Sequence, residues 1–253
     1  MVEAATFAGV LGAIVGSFLN VVTYRLPRHE SLITPASHCP RCGTPVKPYD
    51  NIPVLSWLLL RGHCRSCGEH ISARYPLIEA VTAALCIGVV LARHSSAVAV
   101  ALGILLVLLC VPAAAIDLEH RIIPNAITGL GALLALAVGL VLDPSGEPTR
   151  LIAGAAAGGF LLVAALAYPA GMGMGDVKLA GMLGLLLGKS VAPALLIALV
   201  SGTLLGAAII ARKGAEAGRK TAIPFGPFLA FGGLVAVFVG PQLVDVYVNH
   251  FLH

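Results

Sequence analysis

Charge is what this sequence has least of. Of 253 residues, 11% are charged and 58% are hydrophobic. A soluble domain carries about 25% charged residues. The shortfall excludes an ordinary water-facing globule and fits a chain that uses lipid as solvent over most of its surface. A basic run ahead of the first apolar stretch is also missing. Ala4 to Val22 is preceded by Glu3, so that stretch reads as a retained helix, not a cleaved signal. Long polar stretches are absent apart from 24–74, which is too rich in Pro, Cys and Arg to span a membrane. Residues 1–75 contain no Gly-x-Gly-x-x-Gly turn, which removes the familiar nucleotide cradle. No nucleic-acid partner is expected.

Glycine is abundant, at 29 residues, and small residues let membrane helices approach closely. A spanning helix needs about 20 apolar residues. On that length the chain reads as an all-α polytopic membrane protein with about eight spanning segments: 4–23, 75–92, 97–116, 124–142, 151–169, 177–188, 191–211 and 223–248. The sixth is short and bounded by glycine. The eighth is expected to be interrupted by Pro224, Pro227 and Pro241.

Orientation follows from the placement of Lys and Arg. If loop 24–74 is cytosolic, that face holds 13 of the 16 basic residues, leaving Arg93, Arg150 and Lys189 outside. Both termini then lie outside. The run at 212–220 becomes a cytosolic loop suited to anionic lipid.

Cys39-x2-Cys42 and Cys64-x2-Cys67 are separated by 21 residues. Two such pairs suit a tetrahedral zinc site, each pair clasping one side of the ion. Gly43 and Gly68 follow the pairs and permit the tight turns that aim the thiolates inward. A reducing cytosol disfavours disulfides; free or redox-active thiols are the alternative. Four thiolates close the coordination sphere, so the expected role is structural, and His38, His63 and His70 are surplus. Cys86 and Cys110 fall inside helices and read as apolar packing residues.

Asp117 ends the third segment and Asp176 begins the sixth. Two crossings lie between them, so both emerge on one face. Charged residues at membrane depth are costly and point to function. Two nearby carboxylates do not both ionise readily, so one can serve as general base on a water while the other donates a proton. The alternative is a pair of helix-boundary acids, Asp176 being favoured by the helix dipole in any case. Asp176 lies in Gly171-Met172-Gly173-Met174-Gly175-Asp176-Val177-Lys178, a bare backbone that a substrate strand can approach. Asp117 lies in Asp117-Leu118-Glu119-His120-Arg121-Ile122-Ile123-Pro124-Asn125. Lys178 is either a neighbour that biases Asp176 or a topology determinant.

With these motifs the chain resembles the type IV prepilin peptidases, membrane aspartic proteases of the Gly-x-Gly-Asp kind. Gly16-Ser17-Phe18-Leu19-Asn20-Val21-Val22 with Tyr24-Arg25-Leu26-Pro27 resembles the family's amino-terminal signature. Asn51-Ile52-Pro53-Val54-Leu55-Ser56-Trp57-Leu58 and Arg61-Gly62, framed by the cysteine pairs, resemble its cytosolic loop. Ser72-Ala73-Arg74-Tyr75-Pro76-Leu77-Ile78-Glu79 resembles the entry to its second helix, and the two aspartate motifs resemble its catalytic segments. Asn125 departs from an acidic residue expected in many relatives and leaves Asp117 in place.

The resemblance implies a multi-pass enzyme of the bacterial inner membrane. It implies that Asp117 and Asp176 cleave the basic leader of prepilins or pseudopilins after a glycine, on the cytosolic side. Many members then methylate the new amino terminus with S-adenosylmethionine, and the products build type IV pili or type II secretion pseudopili. It implies an amino-terminal part, 1–95, carrying the zinc loop and methylation, and a peptidase part, 96–253. Glu79 is a candidate for the methylating site or an interfacial acid paired with Arg74. Gly16 and Asn20, one helical turn apart, line the same cavity or form a packing stripe. The competing readings are a peptidase without methylation and, in another class, a zinc-stabilised transporter or channel. The latter predicts midplane charges and an inverted repeat; the acids instead cluster at one interface.

Overall fold

The structure, a computed structural model, describes residues 1–168, 171–214 and 223–251. Within these residues the chain is helical, with no β-strand. The helices are α1 (Val2–Arg25), α2 (Leu55–Leu59), α3 (Arg74–Arg93), α4 (Ala97–His120), α5 (Asn125–Leu142), α6 (Glu147–Ala167), α7 (Met174–Leu187), α8 (Val191–Lys213) and α9 (Gly226–Phe251). Of the expected basic run, Arg219 and Lys220 lie outside the described residues. The chain divides into two compact units, Met1–His94 and Ser95–His253.

In the first unit α1 and α3 pack antiparallel along a glycine stripe. Gly9 lies against Ile87, Gly12 against Ala83 and Cys86, and Gly16 against Glu79 and Thr82. A methyl on Gly16 would fall 2.9 Å from the Glu79 Cα. The contact therefore depends on the small residues that let membrane helices close up. Cys86 is buried in this seam, as expected of a packing residue.

In the second unit α6 and α7 are joined the same way. A side chain at Gly184 would meet the Ala153 carbonyl and the Gly154 backbone at 2.5 Å. Gly158 faces Gly181, so the pair is antiparallel. Gly131 of α5 rests on Leu109 of α4 and Met182 of α7. At one end of the α5–α6 hairpin, buried Arg150 donates to Glu147 Oε2 and Asp143 Oδ2, both at 2.9 Å, and closes the turn.

Among the described residues seven stretches are long and apolar enough to cross a membrane, and the sixth, Met174–Lys213, holds both α7 and α8. The packing separates the two. Gly233 and Gly240 of α9 meet Leu183 and Ser190 in that order, so α7 runs alongside α9 in the same direction. Gly232 meets Ala194 and Ala198, whereas Gly202 meets Phe225 and Phe228, so α8 runs back. The reversal occurs at Gly188–Ser190, where Gly188 has φ 56°. The short sixth segment is thus a helix of its own, the 14 residues of α7.

The expected proline interruption of the last segment is corrected. α9 continues through Pro241, and Pro227 falls in its first turn, where a missing N–H costs nothing. Within the Gly171–Gly175 run, Gly171–Gly173 lie outside any helix and α7 starts at Met174, with Gly173 as its cap.

Candidate functional site

Asp117 sits in the last turn of α4. The helix stops just beyond it because Arg121 takes the left-handed conformation, φ 56°, while its N–H bonds the Asp117 carbonyl at 2.9 Å. Pro124 then starts α5. Asp176 is the third residue of α7, and its carboxylate Oδ2 accepts the Gly173 N–H at 3.2 Å, satisfying one of the donors left open at a helix start. Both acids are buried, Asp117 at 5% and Asp176 at 8% exposure.

The fold brings the two together. Asp117 lies within electrostatic reach of Asp176. Ile123 lies between their supports: methyls built on Gly175 and Gly226 would come within 3.1 and 2.9 Å of its side chain. Asp117 Oδ2 accepts the Gly226 N–H at 3.0 Å. Each acid therefore gives its Oδ2 to a glycine N–H at the start of a helix, Asp176 at α7 and Asp117 at α9. Negative charge is favoured at such helix ends. Fixed in this way, a pair of close carboxylates can divide the work of base and acid on one water.

Sequence reasoning missed Gly226. Its only signal is Pro224-Phe225-Gly226-Pro227, read above as an interruption. An added Cβ there would stand 2.5 Å from Asp117 Oδ2, so any side chain would displace the carboxylate. Lys178 also finds a partner: its ammonium donates to Asn125 Oδ1 at 2.8 Å, tying the start of α5 to that of α7. Beyond this pair an open, mostly apolar groove of ≈ 600 Å³ runs between α5, α6 and α7 over Thr128, Gly129, Ala155 and Gly181.

In the first unit the four predicted cysteines converge, with their sulfurs all within 4.8 Å of one another. Cys39 and Cys67 Sγ are 3.8 Å apart, matching the sulfur–sulfur edge of a zinc tetrathiolate, about 3.8 Å for bonds of about 2.3 Å. The two halves are built alike. The Gly43 N–H bonds the Cys39 carbonyl and the Gly68 N–H the Cys64 carbonyl, both at 2.9 Å. Both glycines sit at positive φ, 69° and 72°. Such turns aim each pair of sulfurs at a common point. Thr44, 3.3 Å from Cys42 Sγ, pulls that thiol down to about 6, while burial and the neighbouring thiols push Cys67 up to about 12. The donor set fits Zn2+. Isolated bridges His38–Pro45 and His63–His70 close the two turns, and the histidines are not needed as ligands.

Glu79, Asn20 and Gly16 also come together, at the α1–α3 contact. Their groups are committed there. Glu79 Oε2 accepts the Val54 N–H at 2.7 Å, Asn20 donates to the Tyr75 carbonyl at 3.1 Å, and Gly16 is covered by Glu79 and Thr82. They form a packed joint between α1 and α3.

Comparison with known proteins covers both units. Residues 10–93 match the bacterial peptidase A24 N-terminal domain, and residues 104–210 match the type IV leader peptidase family. Proteins named prepilin leader peptidase/N-methyltransferase are similar along most of the chain. The one from Pseudomonas putida is 36% identical over 94% of this chain and 91% of its own length. The one from Bacillus subtilis is 34% identical over 95% and 96%. A relative from Myxococcus xanthus is 40% identical over 86% of this chain, which spans 66% of that protein's length. No solved structure matches the chain.

Proposed function

The chain belongs to the type IV leader peptidase family, and on that footing we propose that it removes the leader of prepilins or pseudopilins with Asp117 and Asp176 and methylates the new amino terminus. The observation that carries the peptidase reading is the burial of two acids within electrostatic reach, each with one oxygen fixed by a glycine N–H. One carboxylate takes a proton from water as the water attacks the carbonyl carbon of the leader's terminal glycine. The other acid supplies a proton as the C–N bond breaks and the amine leaves. The backbone bonds to Oδ2 hold both acids in register without spending a side chain.

The substrate's leader is basic and its following segment apolar, so it would approach partly through lipid. The groove between α5, α6 and α7, which begins beside Lys178 two residues after Asp176, offers that segment a small-residue surface. The Lys and Arg distribution supports a cytosolic location for the dyad and the zinc loop and an outer location for both termini. Zn2+ on Cys39, Cys42, Cys64 and Cys67 would hold the loop together without a hydrophobic core. Methyl transfer is assigned to residues 1–95, with S-adenosylmethionine as the donor; no step of it is routed through Gly16, Asn20 or Glu79.

The test is co-expression with a prepilin, scoring leader removal for wild type, Asp117→Asn and Asp176→Asn. Both variants should leave the leader in place while still inserting in the membrane. Retained cleavage in either would sink the dyad. Mass spectrometry of the wild-type product's amino terminus decides the methyl group separately.

A further inference from the structure

The loop helix α2 carries a face that neither the zinc turns nor the rest of the unit uses. Leu55, Leu58 and Leu59 fall at i, i+3 and i+4, so they share one side of the helix. They are 57%, 57% and 81% exposed. The other side is committed inward. The Ser56 hydroxyl donates to the Tyr49 carbonyl and accepts the Ile52 N–H, both at 3.0 Å. Trp57 donates its indole N–H to the Ile71 carbonyl at 2.9 Å and covers Gly62. The leucines are therefore held outward by their neighbours. A contiguous apolar patch on a polar loop marks a contact surface.

Glu79 sets the depth of that surface. It lies five residues into α3, a membrane-spanning helix that begins at Arg74. At about 1.5 Å per residue this places it roughly 7–8 Å along the helix axis. Its carboxylate holds the Val54 N–H at 2.7 Å, immediately before α2. Val54 is at φ 62°, ψ −51°, and the Leu55 N–H closes a γ-turn onto the Pro53 carbonyl at 2.6 Å. A β-branched residue keeps this conformation only where its surroundings enforce it. The start of α2 is thus pinned beside a spanning helix, about one turn inside the helix end. Amphipathic helices bury their apolar face to a similar extent, roughly 5–10 Å into the headgroup–acyl boundary.

Charge supports the same partner. Arg61, exposed, lies two residues beyond the end of α2. A basic residue beside an apolar helix face suits anionic headgroups.

We propose that α2 is an interfacial anchor: Leu55, Leu58 and Leu59 lie in the outer acyl region of the bilayer, with Arg61 among anionic headgroups. The cysteine loop is thereby moored to the membrane surface beside α3. The partner is lipid, and the mooring does not depend on the peptidase reading.

Trp57 is the chain's one tryptophan, so it reports from α2 without a label. The full-length protein is reconstituted into phosphatidylcholine/phosphatidylglycerol vesicles whose acyl chains carry bromine near the headgroup or near the bilayer centre. Shallow bromines should quench Trp57 more than deep ones. The double change Leu58→Ser, Leu59→Ser should remove most of that quenching while the bound zinc per chain stays unchanged, which shows the loop still folded. Arg61→Gln should reduce the gain seen when anionic lipid replaces zwitterionic lipid. Absence of quenching in the wild type overturns the proposal. So does quenching that survives the leucine changes, or a Trp57 signal that follows protein-to-lipid ratio, which would mean a second copy covers the face.

Discussion

Asp117 and Gly226, 109 positions apart in the chain, are joined by a 3.0 Å hydrogen bond from the Gly226 N–H to Asp117 Oδ2. The bond has room only because residue 226 has no side chain. Gly226→Ala would put a Cβ 2.5 Å from that oxygen and 2.9 Å from Ile123 Cδ1. The carboxylate must then rotate away. A misplacement of about 1 Å costs about 10²-fold in rate, so kcat for leader cleavage should fall by that order with KM little changed. Gly159→Ala is the control, since nothing lies within 4 Å of its added methyl. Equal kinetics in the two variants would contradict the positioning role.

The Lys178–Asn125 bond is a joint between helix starts and is assigned no proton transfer. Lys178→Met should lower stability by about 1 kcal/mol, the net worth of one hydrogen bond. It should slow cleavage far less than Asp176→Asn does. Thermal melting in detergent and a cleavage time course measure the two effects. A loss as complete as that of Asp176→Asn would instead make Lys178 part of the chemistry.

The cysteine cluster belongs to the first unit and the acids to the second. Cys39→Ser and Cys64→Ser should each abolish stoichiometric zinc, read by elemental analysis. Methylation of the product should be lost and leader removal kept. If cleavage and methylation vanish together, the proposed division at 95/96 is wrong.

Asp143 gives a pH signature. The Arg150 guanidinium, and then the Ser145 hydroxyl, hold its carboxyl below the usual range. A depressed folded-state value means the stabilisation is fully present above the unfolded value, about 3.9. It is lost as pH falls through the lower folded value. The wild type should therefore melt above Asp143→Asn at neutral pH, with the gap closing below about pH 4. A gap independent of pH would show that charge on Asp143 is not what closes the α5–α6 turn.

Much of the fold was legible because hydropathy is a local property. Runs of about 20 apolar residues must span, and α1, α3, α4, α5, α6 and α8 fall close to their expected limits. Proline was the poorer guide. Pro241 was read as a break, yet α9 carries on through it. The cysteine pairs were legible for a similar reason, since short ligand spacing and glycine turns are written in consecutive residues.

The sequence by itself determined the membrane class, the eight segments, the cysteine cluster and the two acid-bearing motifs. Tertiary structure alone decided what holds them. Gly226 supports Asp117, Asn125 receives Lys178, and Glu79 grips the Val54 backbone across 25 positions. Backbone N–H groups are chemically alike at every residue, and a glycine required for clearance looks like any other glycine in a chain of 29. Such partners have no signature along the chain. They exist only where packed helices bring a particular N–H and a particular carboxylate to the same place.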